Sequence, residues 1–128
     1  MIAIDTNVLV RALVDDPKEK RQVQAAKARI ARAGQVWIPQ IVQVETVWVL
    51  ETAYRLDKAT VMAVLDHLLG NRAYVFQREE TFRRAYSAFR EGPADFADYL
   101  ILAESEAAGH TLVTFDRRLQ RTAGVTTV

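Results

Sequence analysis

Residues 1–14 read MIAIDTNVLVRALV, and this stretch predicts the architecture of the chain. Ile2–Ile4 is a short apolar run typical of a strand, Asp5 follows it directly, and Val8–Val14 is an apolar turn. The same succession of apolar run and acid returns near the other end, where Leu112–Phe115 precedes Asp116. Functional side chains of parallel α/β sheets gather beyond the carboxyl ends of the strands. Asp5 and Asp116 are therefore either caps of the elements that follow or members of a site.

Strands and helices alternate between these two ends. The predicted strands are Ile2–Ile4, Val36–Ile38, Ala73–Phe76, Leu112–Phe115 and Val125–Val128. Helices are predicted from Pro17 to Ala33, over Ile41–Leu56 and Lys58–Leu69, around Phe82–Phe89, from Asp95 to Gly109 and over Arg117–Thr122. The alternation predicts a three-layer α/β/α sandwich with a mostly parallel central sheet. At 128 residues, half of them apolar, we expect one domain over residues 1–128.

Composition excludes several classes of site. The chain has no cysteine and two histidines, so disulfides, thiolate chemistry, iron–sulfur clusters and all-histidine metal sites are excluded. The longest uncharged stretch, Ala33–Val44, is too short to span a bilayer. The N-terminus lacks a basic leader and reaches Asp5 within five residues. We expect a cytoplasmic protein without a membrane segment.

Charge is unevenly distributed although the net charge is only +1. The segment from Glu91 to Asp116 contains six acids and no Lys or Arg, so the remainder carries 17 basic and 10 acidic residues. Arg outnumbers Lys by 13 to 4, and the planar guanidinium suits phosphate contacts. An acidic pocket within a basic body is what a metal site that acts on a polyanion requires.

Glu45 stands out within its predicted helix. Its neighbours on the same face, Ile41, Val42, Trp48 and Val49, are all apolar, and no basic residue lies within a turn. A buried unpaired carboxylate would cost several kcal/mol, roughly, or take up a proton. Glu45 therefore either reaches solvent or belongs to a functional site.

Asp95 and Asp98 lie three residues apart in the first turn of a predicted helix. Both suit that position as caps. No Lys or Arg lies within a turn of either, although like charges at this spacing repel each other. A cation between them would remove that repulsion.

The acids together indicate one kind of site. Carboxylates without histidine or cysteine favour hard cations, Mg²⁺ or Mn²⁺. Such an ion activates a water and neutralises the charge that develops on a phosphodiester. The basic remainder of the surface would hold a nucleic-acid backbone.

Four segments of the chain resemble the PIN-domain ribonucleases, in particular the VapC-type toxins of toxin–antitoxin pairs. They are Ile4-Asp5-Thr6-Asn7, Val44-Glu45-Thr46, the run from Asp95 to Ile101, and Thr114-Phe115-Asp116. Their order, spacing and total length agree with the family. The resemblance implies a five-stranded parallel sheet between helices.

The resemblance also assigns residue roles. The four core acids of the family correspond to Asp5, Glu45, Asp98 and Asp116, and Asp95 corresponds to an additional acid of the toxin branch. Asp5, Asp98 and Asp116, with Asp95, would hold the metal, while Glu45 would help to bind it or take the proton of the attacking water. The supporting polar residues that orient the acids and the water are Thr6, Asn7 and Thr114. Candidates for phosphate contacts near the same edge are Arg11, Arg117 and Arg118, which are equally suited to solvated surface.

The activity implied is Mg²⁺- or Mn²⁺-dependent endonucleolytic cleavage of RNA that leaves a 5′-phosphate and a 3′-hydroxyl. The partners implied are an RNA substrate, a cognate VapB-like antitoxin whose tail blocks the acidic cleft, and a second copy in a homodimer. Candidate docking residues are the apolar side chains of the helices around Val47–Tyr54 and Val61–Leu69.

Three other readings of the same pattern remain. A catalytically idle PIN-like binding or scaffold module, or a DNA-directed nuclease of the same chemistry, would carry the same acids. A phospho-acceptor receiver domain needs an Asp after its middle strand and a Lys after its last, but here Gln77 follows the third strand and no Lys occurs after Lys58. The receiver is therefore the weakest of the three.

Overall fold

The computed structural model describes residues 1–128, and five strands alternate with six α-helices along them. Each strand pairs only with parallel neighbours. This confirms the predicted α/β class. The chain divides into two compact units, residues 1–77 and residues 78–128.

The first unit holds a three-stranded sheet in the order β1-β2-β3. Its elements are β1 (Ile2–Ala3), α1 (Thr6–Leu13), a 3-10 turn (Pro17–Glu19), α2 (Lys20–Ala33), β2 (Val36–Ile38), α3 (Gln40–Thr52), α4 (Lys58–Gly70) and β3 (Tyr74–Phe76). Val36 is the central register position, opposite Ile2 on one side and Tyr74 on the other. Parallel neighbours need long crossovers, and each crossover here consists of two helices.

Local sequence signals set several helix ends in this unit. Gly34 follows α2 with a φ of +78°, a conformation that glycine adopts at little cost. Asp57 caps α4, because its side chain accepts the N–H of Thr60 at 2.9 Å. Helix α3 ends at Thr52, a turn before the predicted end at Leu56, and Arg55 just beyond it is left-handed, with a φ of +52°.

The apolar faces of α3 and α4 form much of the first unit's core. The buried residues there are Val42, Val47, Leu50, Val61, Leu65 and Leu68. Five of the apolar positions that we proposed for partner docking, Val47, Leu50, Val61, Leu65 and Leu68, are therefore interior. Trp48 differs from them, since it is 63% exposed.

The second unit holds a helix pair and a two-stranded parallel sheet. Its elements are α5 (Glu79–Glu91), α6 (Phe96–Ala107), β4 (Leu112–Thr114), a 3-10 turn (Leu119–Arg121) and β5 (Val125–Thr127). The short helix predicted over Arg117–Thr122 is this 3-10 turn. The five strands are thus hydrogen-bonded as one sheet of three strands and one of two.

Aromatic packing fixes the start of α6. The ring of Phe96 lies 5.6 Å from that of Phe82 and 5.8 Å from that of Phe89, the latter at 81°. Both contacts have the tilted or edge-on geometry that aromatic pairs favour. They anchor the turn that carries Asp95 and Asp98 against α5. None of the helices combines the length and apolar character needed to cross a membrane.

Candidate functional site

Asp5 stands at the junction between β1 and α1. It is exposed and caps α1, since its Oδ1 atom accepts the backbone N–H of Val8 at 3.0 Å. The cap engages one carboxylate oxygen. Asp5 can therefore act both as the predicted helix cap and as the predicted site residue.

Glu45 lies in the middle of α3 and is hydrogen-bonded to the residue that follows Asp5. The Oγ1 hydroxyl of Thr6 donates to Oε1 of Glu45 at 2.9 Å. The structure therefore brings Thr6 and Glu45 together, at the corner of the unit where Asp5 lies. Asn7 is exposed in the same turn of α1 and makes no hydrogen bond to either acid.

The apolar surroundings predicted for Glu45 are not a buried pocket. Glu45 is exposed, and its neighbours one turn away, Ile41 and Trp48, are 69% and 63% exposed. The argument from a buried, unpaired carboxylate is therefore wrong, because Glu45 reaches solvent and has a hydrogen-bond partner. Helix α3 is apolar on nearly all sides, so sequence alone could not tell which side faces inward.

Asp95 and Asp98 form a capping box at the start of α6. The backbone N–H of Asp95 donates to Oδ2 of Asp98 at 3.2 Å. Ala94 directly precedes Asp95, and its backbone N–H donates to the phenol oxygen of the buried Tyr99 at 3.1 Å. The two carboxylates are thus held on one turn, as their spacing predicts.

Asp116 follows β4 in a tight turn. Its Oδ1 atom accepts two backbone N–H groups, from Arg118 at 2.8 Å and Leu119 at 3.2 Å. The N–H of Asp116 donates to Oγ1 of Thr114 at 3.0 Å. Thr114 therefore orients the turn that carries Asp116, which is the kind of supporting contact expected of it.

Arg118 connects Asp116 with Asp95. One guanidinium nitrogen, Nη2, lies 3.3 Å from Oδ2 of Asp116 and 3.4 Å from Oδ2 of Asp95. Two acids from different elements of the second unit therefore share one cation. This pairing was not predicted from the sequence, because Arg118 lies far beyond a helical turn from Asp95 and Asp98. The available signal was the position of Arg118, two residues after Asp116.

The pKa values of these acids are shifted in opposite directions. The Arg118 guanidinium, together with the N–H donors at its turn, lowers the pKa of Asp116. Partial burial, reinforced by the charges of Asp116 and Asp95, raises the pKa of Asp98 despite its bond from the Asp95 N–H. Asp98 thus lies within a field of negative charge that Arg118 only partly offsets.

The donor set matches the chemistry of a hard cation, although no cage is formed. Within neither unit do three His, Asp or Glu side chains meet closely enough to hold a metal ion. The candidate ligands are nevertheless carboxylates alone, and two of them already share a positive group. Oxygen-only sets of this kind select Mg²⁺ or Mn²⁺ over thiophilic metals.

Arg11 has a different environment from the one predicted. Its guanidinium donates to Oε1 of Gln22 and to the phenol oxygen of Tyr54, both at 2.8 Å, and lies 3.9 Å from Asp16 and from Glu19. Only 17% of its side chain is exposed. This network favours a structural role for Arg11 over a phosphate contact. Arg117 is exposed next to Asp116 and stays a candidate for that contact.

Comparison with known proteins gives two findings. The sequence model of the PIN domain family matches residues 2–125, which include every candidate site residue. The chain is also similar to a VapC ribonuclease from Aquifex aeolicus (strain VF5), with 21% identity over 123 residues that cover 94% of this chain and 91% of the relative.

Proposed function

This chain belongs to the PIN domain family, and we propose that it is a divalent-metal-dependent endoribonuclease that acts as the toxin of a toxin–antitoxin pair. The observation that carries the proposal is the sharing of the Arg118 guanidinium by Asp116 and Asp95. It indicates that carboxylates from separate elements are arranged around a positive charge. The similarity to a protein named VapC ribonuclease supports RNA as the substrate.

The proposed metal ligands are Asp5, Asp98 and Asp116, with Asp95 as an additional ligand or a ligand of metal-bound water. When bound, Mg²⁺ or Mn²⁺ lowers the pKa of a water molecule and neutralises charge on the reacting phosphate. Asp98 suits this role because partial burial and neighbouring negative charge raise its pKa, and a divalent ion would favour its ionised form.

Glu45 is the proposed general base. It is exposed and can accept the proton of the attacking water through the oxygen that Thr6 does not occupy. Thr6 fixes the orientation of the carboxylate, so it acts as a positioning residue. The water oxygen forms the new bond to phosphorus while the bond to the 3′ oxygen breaks, and that oxygen takes a proton from solvent. The products are a 5′-phosphate and a 3′-hydroxyl.

The remaining proposals follow from the family rather than from a contact in this chain. They are a cognate VapB-like antitoxin, a homodimer, a cytoplasmic location, and phosphate binding by Arg117.

The decisive experiment is an RNA cleavage assay with Mg²⁺ or Mn²⁺, repeated in chelator and with Asp5→Asn and Asp98→Asn. We expect cleavage only with metal and native acids, with each variant reduced by about two orders of magnitude or more. Asp15→Asn is the matched control, since it makes the same change at a carboxylate that is 82% exposed and paired with Lys27. Cleavage that persists in chelator, or in both acid variants, would overturn the mechanism.

The same assay separates the alternatives. A DNA strand of the same base sequence, cut while the RNA stays intact, would indicate a DNA-directed nuclease. Binding of RNA without cleavage of either strand would indicate an idle binding module.

A further inference from the structure

Asp116 has only one oxygen available to a new ligand. Its Oδ1 atom already accepts two backbone N–H groups, which occupy the two lone pairs of that oxygen. The other oxygen, Oδ2, faces the Arg118 guanidinium at 3.3 Å. A metal ion that binds Asp116 must therefore approach the atom that Arg118 contacts.

Arg118 is held weakly enough to be displaced. The side chain of Arg118 is 49% exposed, and that of Asp95 is 64% exposed. Ion pairs this exposed contribute little, because water screens them and the side chains lose entropy when paired. A divalent ion brings twice the charge to the same oxygen, and it repels a guanidinium beside it.

The Arg118 side chain can move without disturbing Asp116. The turn is fixed by backbone N–H groups of Arg118 and Leu119 and by the Thr114 hydroxyl, and none of these bonds involves the guanidinium. A released guanidinium would stay tethered two residues from Asp116.

We propose that Arg118 is an exchangeable internal cation, which occupies the acids in the free protein, yields them to the divalent metal and then contacts the RNA phosphate. The inference rests on the proposed function and adds to it the order in which cations occupy the site. In the free protein, Arg118 offsets the repulsion among Asp95, Asp98 and Asp116. After metal binding, the Arg118 guanidinium contacts the RNA phosphate.

The first test measures metal binding without RNA. Mn²⁺ is titrated into native protein, Arg118→Gln and Arg121→Gln, and free ion is followed by electron paramagnetic resonance. Arg121 is the matched control, because it is exposed in the neighbouring 3-10 turn and pairs with none of the acids. We expect Arg118→Gln to bind Mn²⁺ roughly two- to tenfold more tightly than both other proteins.

The second test measures binding of a short single-stranded RNA at several salt concentrations, in a Glu45→Gln background that prevents cleavage. With Mn²⁺ present, loss of one phosphate contact should reduce the slope of log affinity against log salt by about 0.7 in Arg118→Gln. In chelator the slope should not change, since Arg118 then stays on the acids.

The results separate this inference from the proposed function. If native protein binds Mn²⁺ and cuts RNA but Arg118→Gln binds the ion no more tightly than Arg121→Gln, the exchange is wrong and the nuclease stands. An unchanged salt slope in Mn²⁺ would overturn the transfer to phosphate. If native protein binds no Mn²⁺, both proposals fail.

Discussion

The Oγ1 hydroxyl of Thr6 donates a 2.9 Å hydrogen bond to Oε1 of Glu45, across 39 residues of sequence. Thr6 begins the helix after β1, and Glu45 lies in the helix after β2, the parallel neighbour of β1. The bond therefore connects two elements that leave the carboxyl ends of adjacent strands. This is the edge of a parallel sheet where α/β proteins place their chemistry.

Replacement of Thr6 tests whether this bond orients Glu45, the proposed general base. Thr6→Val keeps the shape of the side chain but removes the donor, and we expect RNA cleavage to fall roughly tenfold with little change in KM. Thr6→Ser keeps the hydroxyl and should retain most of the activity. Single-turnover cleavage rates at saturating metal provide the measurement.

One result with the Thr6 variants would contradict this role of the hydroxyl. Loss of activity in Thr6→Ser with none in Thr6→Val would mean that the methyl group, and not the hydroxyl, is what matters. The Thr6 bond would then have no part in orienting Glu45.

The Arg11 network predicts an effect on stability alone. The phenol of Tyr54 accepts from Arg11 at 2.8 Å and donates to Asp16 at 3.0 Å, so Tyr54→Phe breaks both bonds. We expect the free energy of unfolding in urea to fall by about 1 kcal/mol. Cleavage per folded molecule should stay native. A large loss of activity at unchanged stability would instead return Arg11 to the group of substrate contacts.

Replacement of Gly92 by alanine is predicted to create a steric clash beside the candidate site. A Cβ atom at this position would overlap the Tyr99 phenol oxygen and lie 2.7 Å from its Cζ atom. Tyr99 is buried and its phenol oxygen accepts the N–H of Ala94, so movement of the ring would break that bond. Gly92→Ala should therefore lower the free energy of unfolding by about 1–3 kcal/mol in urea titrations.

Gly70→Ala is the control for that change. A Cβ atom there meets nothing within 4 Å, and Gly70 ends helix α4. We expect this variant to be at least as stable as the native protein, because alanine restricts the unfolded chain. Equal destabilisation of both variants would mean that the Tyr99 contact is not the cause.

Sequence predicted the succession of elements well where a local signal was strong. Apolar runs before Asp5 and Asp116 predicted strands, and the predicted helix bounds at Ala33 and Lys58 agree with α2 and α4, because helix caps depend on residues close in sequence. The family match over residues 2–125 confirms the PIN resemblance that the acidic segments indicated.

Features that depend on contacts between residues far apart in sequence could not be predicted in this way. The solvent-facing side of α3 could not be deduced, since apolar residues surround Glu45 in sequence whether or not they are buried. The pairing of Arg118 with Asp95 spans 23 residues and requires the turn after β4 to meet the start of α6. The confinement of Arg11 by Tyr54 likewise spans 43 residues.

The opposite pKa shifts of Asp98 and Asp116 predict opposite effects on stability without metal. The folded state raises the pKa of Asp98 above its ordinary value, so ionised Asp98 destabilises the protein once the pH exceeds that raised pKa. The folded state lowers the pKa of Asp116, so ionised Asp116 stabilises the protein above its ordinary pKa, and this is lost as the pH falls through the lowered value.

Thermal unfolding in chelator at several pH values tests this pair. At pH 7, Asp98→Asn should melt roughly 1–3 °C above native protein, and Asp116→Asn should melt below it. The Asp98→Asn difference should vanish once the pH falls below the ordinary aspartate pKa, whereas the Asp116→Asn difference should vanish only below the lowered pKa of Asp116. Asparagine keeps an acceptor oxygen for the N–H groups at each position, so the comparison isolates the charge. A lower melting temperature for Asp98→Asn at pH 7 would show that Arg118 and the helix start stabilise this carboxylate more than burial and its acidic neighbours destabilise it.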